Sequence, residues 1–249
     1  MNTIDNSQRT AAKIVGVAGL LAVAVVVFGN YALLSPLLVP GNAAETARNI
    51  VAHQTQVRVA LICFLTYGVS VVVLLAALYV ILRPVNRLLA LIGALFRLVF
   101  ALLWLLTTLN LLSALRLLGG APYLQVFEAD RLQALARLHV AANFDDYYVG
   151  LPFFGLAATA CSYLWLESGY IPKGLGAFGL ISSAWCVICA FVFLIVPNFN
   201  KVVNDYWFDS PMAIFEVVVS CWLLFKGLRP FTPVMIPQRT PGPAGIRDI

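Results

Sequence analysis

Two charged residues lie within long apolar stretches of the sequence, and their side chains are the first candidates for chemistry. At 1.5 Å per helical residue, Arg97 lies about 14 Å into a segment that starts at Leu88, and Glu216 lies about 18 Å from the end of one that finishes at Leu228. A charge at this depth is costly and normally faces a bundle interior or a water-filled cavity. We therefore expect Arg97 and Glu216 to pair in the core as a structural clamp. A substrate or proton pathway is the alternative, and the absence of any contact is a third.

A second polar group lies near the start of the fourth apolar segment. His139, Asp145 and Asp146 combine an imidazole with two carboxylates, which are groups that hold divalent cations or relay protons. Their spacing matches no site template, so a solvated, interfacial cluster is the preferred interpretation. We assign no metal ligand to these residues.

Cys186 and Cys189 form a C-x-x-C motif inside an apolar segment. In a soluble βαβ unit this motif would suggest redox chemistry. Here Gly179, Ser183, Cys186 and Ala190 recur at three- and four-residue steps, which is typical of a small-residue packing face in a membrane helix. The sequence therefore predicts packing at this face, and no disulfide.

Several enzyme classes are set aside because their motifs are absent. The sequence contains no H-E-x-x-H, no Walker A motif, no G-x-G-x-x-G on a strand and no G-x-S-x-G. Both histidines, His53 and His139, lie outside the apolar segments, so a haem in the core would have no histidine ligands. We predict no cofactor, and we leave enzymatic activity open without favouring it.

The composition defines the class of protein that must position these residues. Of the 249 residues, 61% are apolar or aromatic and 11% are charged, and the mean hydropathy is +0.91. Soluble domains are roughly 45 to 50% apolar and 25% charged, so a soluble fold is excluded. Six segments have the length of about 20 residues that a membrane-spanning helix needs. They cover residues 12–34, 57–82, 88–118, 147–166, 171–196 and 211–228. We predict an all-α, polytopic bundle of six transmembrane helices, since the segments lack the alternation of barrel strands.

The basic residues predict how the bundle is oriented. With both termini inside the cell, nine of the sixteen Lys and Arg residues lie on the cytoplasmic side, including Arg83 and Arg87 in one tight turn. Cytoplasmic segments carry such an excess, so we predict a multi-pass protein of the inner membrane with cytoplasmic N- and C-termini. Residues 1–230 would form one transmembrane domain, and residues 231–249 a Pro-rich cytoplasmic tail. The sequence contains no clustered basic face, so nucleic-acid binding is not predicted.

Two of the outer loops are predicted to contain short interfacial helices. In the first, Asn42 is a candidate N-cap for a helix over residues 43–52, with Glu45 three residues further on. In the second, Asp130 is a candidate cap for a helix over residues 131–142 that has one leucine-rich face. The third outer loop, residues 198–210, carries aromatic residues that are typical of an interfacial belt.

Five stretches of the sequence also carry a resemblance to a known family. They are residues 39–47 (VPGNAAETA), 82–87 (LRPVNR), 96–98 (FRL), 153–155 (FFG) and 168–173 (SGYIPK). In this order they resemble the bacterial membrane family catalogued as domain of unknown function 4386, over about residues 9–227. The resemblance implies a six-helix inner-membrane protein and supplies no activity. Residues 143–147 are more acidic than the family pattern.

Three functions from different classes remain. The first is a non-catalytic structural or partner-binding membrane protein, for which the bilayer and a membrane-protein partner or second copy are the expected contacts. The second is a small transporter or channel with Arg97 and Glu216 lining the pathway. The third is a membrane enzyme with an outer-face site at His139, Asp145 and Asp146. A hydrated cavity around Arg97 would favour the second function, and a dry, closed bundle would favour the first.

Overall fold

The computed structural model describes residues 4–196, 207 and 209–230, and this part of the chain is all-α, without a strand. Five helical segments are long and apolar enough to cross a membrane, and a sixth apolar helix has 16 residues. The α-helices within the described ranges are α1 (Asn6–Val27), α2 (Ala43–Ala52), α3 (Gln54–Leu82), α4 (Arg87–Leu118), α5 (Ala129–Ser168), α6 (Lys173–Ile195) and α7 (Ser210–Phe225). The prediction of an all-α membrane bundle is confirmed at this level.

The six long helices form a closed ring. Each packs against the next in the order α1, α3, α4, α5, α6 and α7, and α7 returns to pack against α1. In such a ring α4 and α7 lie on opposite sides. The short helix α2 lies outside the order and packs against α5 and α4 at one end of the bundle. We refer to that end as the α2 end.

Both ends of the described chain lie at the other end of the bundle, where they contact the loop between α5 and α6. The side-chain Nε2 of Gln8 donates to the hydroxyl of Tyr170 over 3.2 Å, and the backbone N–H of Arg229 donates to the carbonyl of Tyr170 over 2.9 Å. We call this the Tyr170 end. Because α1 starts here and α7 finishes here, the ring helices run alternately up and down.

Local capping fixes where the helices begin and end. Asp5 and Gln8 form a reciprocal capping box at the start of α1. Asn86 accepts from the backbone N–H of Leu89 over 3.0 Å and starts α4, which sets the depth of Arg97 eleven residues further on. At the far end of α5, Gly169 adopts φ +66°, a left-handed conformation that glycine takes without a steric penalty.

The predicted interfacial helix over residues 43–52 occurs as α2, and Asn42 accepts from the backbone N–H of Glu45 over 3.0 Å. The second predicted interfacial helix, over residues 131–142, is wrong as a separate element. It is the first part of α5, which runs without interruption from Ala129 and has Glu128 as its N-cap residue, not Asp130. No glycine or proline occurs between Ala142 and Tyr147 to stop the helix, and polar side chains in this stretch bond to α4.

Glycines in α1 allow α7 to approach closely. A Cβ on Gly16 would lie 2.7 Å from the Cβ of Leu224, and a Cβ on Gly19 would collide with the hydroxyl of Ser220. Small residues at helix contacts permit this close backbone approach in membranes. The contact between the first and the last helix therefore closes the ring. The predicted tail, residues 231–249, and most of the third outer loop lie outside the described residues.

Candidate functional site

The structure brings Arg97 of α4 and Glu216 of α7 together across the ring. Nη2 of Arg97 lies 2.9 Å from Oε1 of Glu216, with side-chain exposures of 5% and 18%, respectively. The guanidinium carbon of Arg97 lies 5.1 Å from the ring centroid of Phe154, so the cation also faces an aromatic ring of α5. The pair therefore links two helices on opposite sides of the ring.

The pair leaves hydrogen-bonding capacity unused. Nε of Arg97 is buried and finds no hydrogen-bond partner among the described residues. Within the same part of the chain, Oε2 of Glu216 accepts no hydrogen bond, although a carboxylate can accept about four. Two voids of about 10 and 30 Å³ adjoin Arg97 towards the Tyr170 end. A void needs about 10–15 Å³ to hold a water molecule, so the space beneath the pair admits a few waters at most.

A much larger cavity lies on the other side of the pair. It has a volume of about 470 Å³, and Glu216 lies at its inner end, which we call the floor. The wall is built by five of the six ring helices and the segment that follows α1. The lining residues are Val23, Val26, Val27, Asn30, Tyr31, Leu34, Ser35, Leu38, Phe64, Tyr67, Phe100, Trp104, Thr107, Asn143, Phe144, Tyr147, Tyr148, Leu151, Phe154, Asp209, Ser210, Ala213 and Glu216. The cavity thus extends from mid-bundle to the α2 end, where Ser35, Leu38 and Asp209 lie.

Aromatic side chains set the shape of this cavity. The indole N–H of Trp104 donates to the backbone carbonyl of Phe64 over 3.1 Å, which fixes the orientation of the indole. The ring of Tyr67 lies 4.5 Å from that of Trp104, and Phe100 lies 4.7 Å from Phe154. Tyr147 donates its hydroxyl to Oδ2 of Asp209 over 2.6 Å. These contacts between lining residues hold the wall of the cavity in place.

The first helix changes geometry where it borders the cavity. Residues Phe28–Leu34 form a π-helical segment that continues α1, and a 3₁₀ turn follows over Ser35–Leu37. The wider π turn alters the backbone hydrogen bonds, and the side-chain Nε2 of Gln56 donates to the carbonyl of Leu33 over 2.7 Å. Asn30 and Tyr31 from this segment line the cavity. Short π segments inside α-helices occur frequently at functional sites.

The second candidate site, the predicted polar cluster of His139, Asp145 and Asp146, is only partly assembled. His139 Nδ1 lies 2.9 Å from Oδ1 of Asn110, and Nδ2 of Asn110 donates to Oδ2 of Asp146 over 2.7 Å. Asn110 of α4, which sequence analysis did not single out, therefore bridges the two. Asp145 is exposed and takes no part. Across the described residues, no three His, Cys, Asp or Glu side chains lie close enough to hold a metal. The arrangement joins α4 to α5 at the α2 end.

The C-x-x-C face packs as a helix contact. Cys186 and Cys189 are buried free thiols. On the same face, Ser183 accepts from the hydroxyl of Thr159 on α5 over 3.0 Å, and a Cβ on Gly179 would lie 2.5 Å from the ring of Phe215. These contacts place α6 tightly between α5 and α7.

Sequence reasoning missed the cavity, although the residues that line it left a signal. Tyr67, Trp104 and Tyr147 lie within the predicted spans or at their edge, and each carries a polar atom that needs a partner in an apolar environment. Asn30 and Asn143 are neutral amides at similar depths from the α2 end. Which of them face each other depends on how six helices are arranged around the ring.

Comparison with known proteins adds a family and one relative of known sequence. The family model described as Domain of unknown function (DUF4386) matches residues 14–227. A protein of Archaeoglobus fulgidus described as uncharacterized is 28% identical over 152 residues, which cover 61% of this chain and 73% of that protein. No solved structure matches the chain. The family match over residues 14–227 includes residues of all six ring helices, and it includes both Arg97 and Glu216.

Proposed function

Because the chain belongs to the domain of unknown function 4386 family, whose description assigns no activity, we propose its function from the site itself. The protein is a non-catalytic membrane protein that binds a small molecule inside its helix ring, in the manner of a small transporter. The observation that carries this proposal is the cavity of about 470 Å³ with Glu216 on its floor. The same observation favours transport over a purely structural or partner-binding role, since neither of those roles needs an internal cavity.

The size and position of the cavity support ligand binding. Ligand sites typically measure about 300–1,000 Å³ and are mostly apolar with a few placed polar groups. Here the apolar wall is interrupted by Asn30, Thr107, Asn143 and Glu216. The helix ring is wide towards the α2 end and nearly closed beneath Arg97, where the voids measure about 10 and 30 Å³. A cavity closed at one end is the arrangement of a transporter that is open to one side of the membrane.

The ion pair then has two roles in one place. Arg97 and Glu216 brace α4 against α7, and they also form the boundary between the wide and the closed half of the ring. A buried pair of this kind contributes more to a defined arrangement than to net stability. We infer that release of this contact accompanies the passage from one open side to the other.

The orientation of the protein follows from its basic residues. We propose that the Tyr170 end is cytoplasmic, that all six ring helices cross the inner membrane and that the cavity opens outward. Seven described Lys and Arg residues lie at the Tyr170 end and five at the α2 end, which agrees with the cytoplasmic excess of such residues. The seven are Arg9, Lys13, Arg83, Arg87, Lys173, Lys226 and Arg229, and the five are Arg48, Arg58, Arg116, Arg131 and Arg137.

Thiol labelling tests whether water fills the cavity. Ala213 is an exposed residue of α7 that lines the cavity, whereas its neighbour Ile214 is 56% exposed and lies outside it. Methanethiosulfonates react with thiolates, which form in water and not in hydrocarbon, so Ala213→Cys should react at least about tenfold faster than Ile214→Cys. Wild-type protein with its five free cysteines sets the background. Equal rates at the two positions would contradict a water-filled cavity.

Labelling from the two sides of the membrane tests transport. Reagent added outside intact cells should modify Ala213→Cys, because the cavity opens outward in the proposed orientation. Ala94 lines the small void beneath Arg97. A transporter must also visit a state open to the Tyr170 end, so Ala94→Cys should react in inside-out vesicles. Permanent protection of Ala94→Cys would leave a binding protein and refute a transporter.

A further inference from the structure

We propose that the ligand of this cavity is an amphipathic organic cation, an inference that rests on the proposed function. This inference is based on the charged and aromatic side chains that line the cavity. The competing occupants are an apolar anion and a lipid acyl chain, and the experiment below distinguishes each of them from the cation.

The charges that face the cavity are negative. Among the described lining residues, Glu216 and Asp209 are carboxylates, and no lysine, arginine or histidine is present. Arg97 is not part of the lining, because its side chain is 5% exposed and lies behind the carboxylate of Glu216. An anion entering the cavity would therefore meet the carboxylate of Glu216 before the guanidinium.

Glu216 can bind a cation without losing its contact with Arg97. Arg97 donates to Oε1, while Oε2 accepts no hydrogen bond from the described chain. The Glu216 side chain is 18% exposed, and the residue lines the cavity. A ligand ammonium at the floor would share the carboxylate with Arg97, and such charge-assisted hydrogen bonds are the strong ones.

The wall of the cavity suits the apolar part of such a ligand and its charge. Aromatic rings attract organic cations through their negative faces, and aromatic cages around quaternary ammonium groups are a known use of this effect. Nine of the lining residues are aromatic, and Trp104 is held by Phe64 and Tyr67 in a fixed orientation. Asn30 and Asn143 add neutral polar contacts higher in the cavity. Rings of this kind also bind apolar groups, which explains why we infer an amphipathic cation and not a metal ion.

Reagents of opposite charge test the inference directly. Ala213 lies one helical turn from Glu216 on the same face of α7. We expect a trimethylammonium methanethiosulfonate to modify Ala213→Cys at least about tenfold faster than a sulfonate analogue, after both rates are divided by those for a simple thiol in solution. Addition of Glu216→Gln should reduce this preference about tenfold, because it removes the nearest charge. Glu167→Gln, an exposed carboxylate near the Tyr170 end, is the matched control and should leave the preference unchanged.

Binding of two ions of equal shape completes the test. Tetraphenylphosphonium should bind the wild-type protein saturably and protect Ala213→Cys from modification, and tetraphenylborate should bind at least about tenfold more weakly. If Glu216→Gln fails to fold, Arg97→Gln with Glu216→Gln keeps the core neutral and should show the same loss of preference.

Each outcome has one meaning. Equal or stronger binding of tetraphenylborate, or an unchanged preference in the variants, overturns the cationic ligand and leaves the cavity intact. If a lipid occupies the cavity and protects Ala213→Cys from both methanethiosulfonates, the proposed function itself is overturned.

Discussion

Removal of either partner of the Arg97–Glu216 pair should destabilise the protein, and the two changes should differ in size. Glu216→Gln leaves a cation on a side chain that is 5% exposed and whose Nε has no hydrogen-bond partner among the described residues. Loss of one partner of a buried pair costs about 3–5 kcal/mol, so we expect this range for Glu216→Gln. Arg97→Met leaves a carboxylate on a side chain that is 18% exposed and lines the cavity, where water can hydrate it. We expect a smaller loss of about 2–3 kcal/mol for Arg97→Met, since hydration offsets part of the penalty.

A double-mutant cycle isolates the coupling between the two side chains. Arg97→Met with Glu216→Gln should cost less than the sum of the single changes, with a coupling of about 2–3 kcal/mol. The free energy of unfolding is measured in mixed micelles by titration with sodium dodecyl sulfate, followed by circular dichroism. Arg58→Met, which removes an exposed arginine at the α2 end, is the matched control and should change stability by about 0.5 kcal/mol or less.

Two results would refute this reasoning. Additive losses in the double variant would mean that the pair is not coupled. A larger loss for Arg97→Met than for Glu216→Gln would mean that water does not reach the carboxylate from the cavity. The charge exchange Arg97→Glu with Glu216→Arg gives an independent check, since a double exchange that folds no better than either single change would contradict the pairing.

Two further changes test how the ring is held together. Gly19→Ala should lower the free energy of unfolding by about 1–3 kcal/mol, because its Cβ collides with Ser220, whereas Gly174→Ala, where a Cβ meets nothing within 4 Å, should be neutral or slightly stabilising in the same titration. Asn110→Leu should lower it by about 1–3 kcal/mol, because both of its partners on α5 lose their hydrogen bond, and a loss no larger than that of Asp145→Asn, an exposed control, would contradict the bridge.

The sequence singles out the two buried charges that the structure brings into contact. Arg97 and Glu216 stand out because few other charges interrupt the apolar segments, and helix rise converts their positions directly into depth. The cap at Asn42 could also be predicted from the sequence, since the chemistry of a helix start is local. Features that depend on a few neighbouring residues can therefore be predicted from the sequence.

The cavity and the continuity of α5 could not be predicted in the same way. Asn143 and Asp146 fall between the predicted helix over residues 131–142 and the span predicted from residue 147. They are helical in the structure because Thr107 and Asn110 of α4 meet their hydrogen-bonding needs. Each of these partners is 36 residues away along the chain. A cavity lined from five helices depends on the order of the helices around the ring, which no local pattern contains.

The separation of the ion pair along the chain has a consequence for synthesis of the protein in the cell. Arg97 and Glu216 are 119 residues apart. A ribosome adds about 5–20 residues per second, so α4 enters the membrane about 6–24 s before its carboxylate partner exists. During that interval an arginine at the centre of a membrane helix costs about 2.5–3.5 kcal/mol. Arrival of α7 supplies both the missing counter-charge and the last wall of the ring. A nascent chain cut short before α7 therefore carries an unpaired intramembrane arginine and cannot complete the ring.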